Sequence, residues 1–223
     1  MNPTRLSPTQ RRLTGAALIA GPVVTLAGMA TTPWESEKTT AAYQAALAAH
    51  PTQGQIACLL LVFGYALLGL ANFTILRHTT AAPRVLRGVT SVLCFFGATI
   101  LPGMVLVDFY DLALATELPP AQGVAVADAA GSYGLGAIAQ APAIIGFSLG
   151  MILVAVTAWK ARLAPAWLPV FLLAGMVVGF AGAPAMIVVS SVALLIAYAI
   201  IARGILRRPV AEPSRPVAVP VAA

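Results

Sequence analysis

Apolar positions along this chain do not alternate with polar ones; they run on. The uninterrupted stretches lie at about Leu13–Met29, Gln55–Leu76, Val89–Val107, Tyr133–Ala158, Trp167–Gly182 and Pro184–Ile201. Runs of this size match a hydrocarbon core about 30 Å thick at about 1.5 Å of rise per residue. In such a core each backbone group must be satisfied within its own segment, so the pattern predicts helices. A membrane barrel would show short alternating segments instead. The last two stretches need a separate argument. Leu168 to Ile201 carries no charge, and as one helix it would be about 50 Å long, too long for one crossing. Ala181-Gly182-Ala183-Pro184 supplies a break, because glycine loosens the backbone and proline disfavours helix in the residue before it.

Composition agrees. Of 223 residues, 60% are hydrophobic and 9% charged, and the mean hydropathy is +0.91. A soluble domain carries about a quarter charged residues, so this chain has too little polar surface to cover a globule in water. The fold class is an all-α membrane protein. It is a single bundle of six transmembrane helices over residues 1–208, followed by a Pro- and Val-rich tail, 209–223, that reads as disordered and cytoplasmic.

Charge then sets the orientation. Arg5, Arg11 and Arg12 precede the first stretch; Arg77, Arg84 and Arg87 separate the second and third. Lys160 and Arg162 separate the fourth and fifth, and Arg203, Arg207, Arg208 and Arg215 follow the last. Only Lys38 falls on the other side. The positive-inside rule therefore puts both termini on the cytoplasmic side. The N-terminal segment also has the form of a signal peptide, with small residues at Gly28-Met29-Ala30, and its removal would leave five spans. The net charge of +6 is a topology signal that brings contact with anionic lipid, and no nucleic-acid motif accompanies it. Trp159 and Trp167 at inner ends, and Trp34, Tyr110 and Tyr133 at outer ends, sit where an aromatic belt is expected.

Two outer loops have internal structure. Thr31–Gly54 predicts a short helix with Ser36 as N-cap and Pro51 at its end. Tyr43, Leu47 and His50 share one face, so this helix is expected to lie flat on the membrane surface. Ala113–Ser132 is interrupted at Pro119-Pro120. Gly21-Pro22, Pro102-Gly103 and Pro142 are expected to kink the first, third and fourth spans.

Candidate chemistry is sparse. Cys58 and Cys94 lie at opposite depths, and His50 and His78 on opposite sides, so neither a disulfide nor a metal or haem site is expected from them. No catalytic motif stands out, and no cofactor is implied. The carboxylates are asymmetric: Glu35, Glu37, Asp108, Asp111, Glu117 and Asp128 are outside, and only Glu212 is inside. Asp108 and Asp111 are three apart on one helix face, where two close carboxylates repel unless a cation, a proton or a donor intervenes. They are a candidate cation or proton site, or else a solvated helix end. Gln140 reads as the most buried polar side chain, a contact between helices or for a solute. Gly146 and Gly150, and Gly175 and Gly179, each put two glycines on one face for close helix packing, within the chain or against a second copy or a membrane partner protein. No charged residue lies near mid-membrane, which argues against a proton relay.

The segment Ala41-Ala42-Tyr43-Gln44-Ala45-Ala46-Leu47-Ala48-Ala49-His50-Pro51 running into an apolar span, and the inner loop Leu163-Ala164-Pro165-Ala166-Trp167, resemble a broad group of uncharacterised six-span integral membrane proteins of actinobacteria. The resemblance implies a plasma-membrane bundle and carries no activity or catalytic residue with it. The sequence thus leads to a non-catalytic accessory or a lipid- or small-molecule-binding module. A small-solute transporter or channel is the alternative, and an intramembrane enzyme the second. A cavity reaching Gln140 from outside would favour transport; a sealed bundle with a bare glycine face would favour the accessory role.

Overall fold

The computed structural model describes residues 8–35, 37, 39–180 and 183–207, and these are all-helical with no strand. Ser36, Lys38, the Ala181-Gly182 half of the expected break and the tail 209–223 lie outside the described residues. Five helices are long and apolar enough to cross a membrane: α1 (Pro8–Thr31), α3 (Pro51–His78), the run made by α4 (Arg84–Val105) and α5 (Val107–Glu117), α7 (Gly134–Lys160) and α9 (Pro184–Leu206). A sixth apolar helix, α8 (Leu168–Phe180), has 13 residues and is about 20 Å long, short of a full hydrocarbon core. Helix α8 ends and α9 begins on either side of the expected break.

Contacts at the helix ends fix which ends lie together. Gln53 Nε2 donates to Thr31 O at 2.7 Å, placing the start of α3 beside the end of α1. A Cβ at Gly15 would sit 3.1 Å from Leu206 Cδ1, placing the start of α1 beside the end of α9. Leu163, just past α7, abuts Gly204 of α9. The described Lys and Arg side chains therefore collect at one end of the bundle and the described carboxylates at the other. We refer to these as the basic and acidic ends.

The run α4–α5 spans 34 residues, about 51 Å, and exceeds a bilayer core. It is divided at Leu106, whose N–H reaches back to Pro102 O at 3.3 Å. Helix α4, 22 residues and about 33 Å, matches one crossing. Helix α5 projects beyond it and packs with α2 (Thr40–Ala49) and α6 (Pro120–Gly131) as a cap over the acidic end. By contrast, α1 and α7 run unbroken through Pro22 and Pro142.

The cap departs from the sequence expectation in two ways. Thr39, not Ser36, caps α2: its hydroxyl accepts from Ala42 N at 3.2 Å, which places the first turn three residues later. The buried stripe of α2 is Gln44 and Leu47, while His50 is exposed and stands past the helix end as its C-cap. The helix therefore packs through this stripe on α5 and α6. Thr40 Oγ1 donates to Asp128 Oδ1 at 2.6 Å, and Gln44 Nε2 donates to Gly123 O at 3.3 Å, stitching α2 to α6. Pro51 ends α2 and also opens α3, where its missing N–H costs nothing. The expected interruption at Pro119-Pro120 separates α5 from α6.

Pairing inside the bundle runs through backbone contact. Helix α1 packs on α3 and α9, α4 on α7 and α3, and α8 on α9 and α7. At the α4–α7 crossing, a Cβ on Gly146 would lie 2.5 Å from Leu93 O and 2.7 Å from Gly97 N, and a Cβ on Gly97 would lie 2.8 Å from Phe147 N. The backbones touch because neither residue has a side chain. Gly21, Gly28 and Gly64 do the same for α1 and α3. The densest packing is toward the basic end, where Val154, Ala158, Leu168, Tyr198 and Ile201 are fully buried and the Tyr198 hydroxyl donates to Asn72 Oδ1.

Alanine substitutions read out this contact. Gly97→Ala and Gly146→Ala should each destabilise the protein in detergent by about 1–3 kcal/mol, the cost of overpacking. Gly88→Ala, in α4 with nothing within 4 Å, should be neutral or stabilising by up to about 1 kcal/mol from helix propensity. Thermal melts of the three variants check this, and equal melting temperatures would refute it.

Candidate functional site

Two adjoining cavities are among those on the acidic half of the described residues. The larger, about 800 Å³, lies under the cap, with Trp34, Tyr43, Tyr110, Glu35, Asp111 and Gln140 among its walls. The smaller, about 330 Å³, lies deeper, and α1, α3, α4, α7, α8 and α9 all contribute to it. Its lining is mainly apolar, including Met29, Tyr65, Phe147, Met151 and Leu194, with the hydroxyls of Thr25, Ser148 and Ser190 among them. Gly179, Phe180 and Ile187 line both cavities, so the two adjoin at the meeting of α8 and α9. Below the deeper chamber the closely packed basic half closes the bundle.

The walls follow from local structure. Trp34 folds back over the end of α1, its Nε1 donating to Met29 O at 2.7 Å, while Thr32 satisfies Gly28 O. These bonds complete the orphan carbonyls of α1 and stand an indole at the cavity mouth. Tyr65 is held edge-on against Phe147, ring centroids 5.2 Å apart. Thr25 is 2% exposed and its Oγ1 has no hydrogen-bond partner. A buried hydroxyl without a partner is costly, and this one borders the deeper chamber.

The acid pair occupies the layer between cap and bundle. Asp108 and Asp111 are both on α5 and both partly buried. Burial pushes the Asp108 carboxyl up to about 6; a hydrogen bond from Tyr43 opposes the shift, and the charge of Asp111 adds to it. Burial also raises Asp111, with a hydrogen bond from Gln44 working against the rise. Tyr43 is raised by burial and then by the adjacent Asp108. Burial raises Glu35, whose Oε1 has no partner. Only Asp111 of the pair lines the cavity; Asp108 stands behind Tyr43. The arrangement can hold a proton on Asp108 up to about pH 6, and it presents carboxylates beside aromatic faces to whatever enters.

The other sequence-selected residues fall elsewhere. Gln140 is not the most buried polar side chain: it is exposed, two turns into α7, and walls the outer cavity. The start of α7 lies beside the open cavity rather than in the packed part of the bundle, which leaves the amide uncovered. Gly146 and Gly150 face α4, the latter with Cys94 3.4 Å from a Cβ position. Gly175 faces Ala193, and Gly179 faces Ser190 at the junction of the two cavities. Cys58 and Cys94 are buried free thiols, and Cys58 Sγ donates to Val105 O at 3.3 Å. His50 and His78 stand at opposite ends of the 28-residue α3. Among the described residues no three metal-ligating side chains cluster.

Sequence reasoning missed Gln44, Thr25 and the Asn72–Tyr198 pair. Asn72 left a signal, an amide in the middle of an apolar run; Gln44 left none, because an isolated surface helix would expose it.

The Asp108 shift has a definite sign. A carboxyl whose folded pKa is raised binds its proton more tightly folded than unfolded, so acid favours the fold. The penalty for carrying Asp108 charged is absent below about pH 4, the usual range of a carboxyl, and complete above about 6. Melting temperatures of wild type and Asp108→Asn should be close at pH 4 and diverge up to pH 7 in favour of the variant. A gap that stays constant over that range would mark Asp108 as an ordinary solvated helix end.

Comparison with known proteins leaves the geometry to speak for itself: no family model, no curated protein and no solved structure matches this chain, and nothing there bears on the actinobacterial resemblance.

Proposed function

We propose that this is a six-span protein of a bacterial plasma membrane, both termini cytoplasmic, that binds a lipid-like or small amphiphilic molecule entering from the acidic, outer face. It acts as a binding or accessory module rather than a catalyst. The observation that carries this reading is the pair of adjoining cavities: a polar, aromatic antechamber that meets a mainly apolar chamber at Gly179, Phe180 and Ile187. Ligand sites are concave and largely apolar, with a few placed polar groups, and Thr25, Ser148 and Ser190 supply those groups in the chamber. The short helix α8 counts as the sixth crossing, its deficit met by local thinning of the bilayer and by neighbouring helices.

Transport is the second reading. It is favoured by one observation, the outer cavity that reaches Gln140. Closure of the basic half makes this an outward-open arrangement, so transport requires a second state in which that half parts.

A neutral fluorescent amphiphile, N-phenyl-1-naphthylamine, tests the site. Purified protein should bind it saturably, and Ser148→Phe, which puts a ring into the chamber, should weaken binding by about tenfold, a loss of about 1.4 kcal/mol. Equal affinity in wild type and variant would remove the chamber from the function. Uptake of the same probe into proteoliposomes separates carriage from binding alone.

Orientation is tested apart from function. In a Cys58/Cys94-free background, a cysteine at the exposed Ala121 should react with an impermeant thiol reagent in intact cells, and one at the exposed Thr80 should not. The reverse pattern would turn the molecule over.

A further inference from the structure

At the basic end, α3 and α4 enclose a groove of about 480 Å³ that the proposed function does not use. Leu70, Phe73, Thr74, Arg77, Arg87 and Ser91 line it. Arg77 comes from the last turn of α3 and Arg87 from the first turn of α4, so the helix-to-helix turn brings two guanidiniums to one opening. The two hydroxyls are already used: Thr74 Oγ1 donates to Leu70 O at 2.8 Å and Ser91 Oγ to Arg87 O at 2.9 Å. The charged donors in the groove are therefore the arginines. Arg87 Nε is buried and has no hydrogen-bond partner. A guanidinium N–H withdrawn from water without an acceptor is costly, and the cost is greatest for a charged donor. The described carboxylates that could supply an acceptor stand at the opposite end of the bundle.

The rest of the groove says what kind of anion completes it. Leu70, Phe73 and Arg77 follow at i, i+3 and i+7 and share a face of α3. Leu70 is 53% exposed and Phe73 37%, and the strip from Leu70 to Arg77 is about 10 Å long. It runs from the hydrocarbon region to the headgroup level, apolar first and cationic last. A free phosphate would use the arginines and leave the apolar strip bare. An anionic phospholipid uses both, and the planar forks of arginine match the oxygens of its phosphate. Basic pockets between helices at a membrane surface take such headgroups.

We infer that the groove between α3 and α4 is a binding site for an anionic phospholipid, its phosphate held by Arg77 and Arg87 and an acyl chain lying along Leu70 and Phe73. The site is separate from the amphiphile chamber and stands or falls without it. Occupied, it gives the buried Nε of the partly exposed Arg87 an acceptor and ties the α3–α4 turn to the leaflet at the basic end.

The test uses the full chain with Phe73→Trp as a reporter inside the groove, the signal of the three native tryptophans being subtracted with wild-type protein. Phosphatidylglycerol with brominated chains should quench the reporter at concentrations about tenfold lower than phosphatidylcholine with the same chains, as charge-assisted bonds require. Adding Arg77→Gln with Arg87→Gln should abolish that preference, while Arg84→Gln, a neighbouring cation outside the groove, should keep it. Equal quenching by the two lipids with both arginines intact overturns the site, and this measurement stands even if the double variant does not fold. A preference that survives in a folded double variant also overturns it. Displacement of phosphatidylglycerol by millimolar inorganic phosphate would show a free-phosphate site instead of a lipid one.

Discussion

Helices immersed in hydrocarbon gain little by exchanging lipid contacts for protein contacts, so their association depends on how closely their backbones approach. That constraint organises this protein. Gly146 and Gly97 let α7 and α4 touch backbone to backbone, and Gly21, Gly28 and Gly64 do so for α1 and α3. Gly175 and Gly179 bring α8 against α9 at Ala193 and Ser190. Where glycines and alanines face each other the bundle is shut. Where Met29, Phe147, Met151 and Met176 converge instead, the helices are held apart and a chamber remains.

A cap of three helices lies over the acidic end of the bundle. Helix α5 projects past the length a bilayer can cover, and α2 and α6 fold against it through Thr40–Asp128 and Gln44–Gly123. The cap draws Asp108 partly out of water beside Tyr43, and burial pushes its carboxyl up to about 6. Packing of the cap and protonation of Asp108 are therefore linked.

The two ends of the molecule are chemically opposed. The acidic end offers carboxylates and aromatic faces around a cavity, and the basic end offers arginines around a groove that faces outward along α3 and α4. Between them lies the closely packed half in which Asn72 and Tyr198 satisfy each other. A buried polar pair of this kind costs little while both partners are present and much when one is removed.

Hydropathy alone determined that the chain forms helices long and apolar enough to cross a membrane, because a bilayer tolerates few backbone solutions and the apolar runs have the matching length. Local chemistry determined several boundaries. Proline can start a helix but not continue one freely, so Pro184 is legible as a helix start and Pro51 and Pro119-Pro120 as breaks, while the structure adds that α3 and α6 begin at Pro51 and Pro120. The pairing of Asp108 with Asp111 on one face also follows from spacing. What spacing could not supply is the partner across space. The approach of Tyr43 to Asp108, the burial of Gln44, the exposure of Gln140 and the convergence of Arg77 with Arg87 depend on how helices distant in sequence rotate and cross. Helix α8 shows the same limit: its composition reads as a span, yet its 13 residues owe their place to α7 and α9. Periodicity says which side chains share a face, and only the packed bundle decides what that face meets.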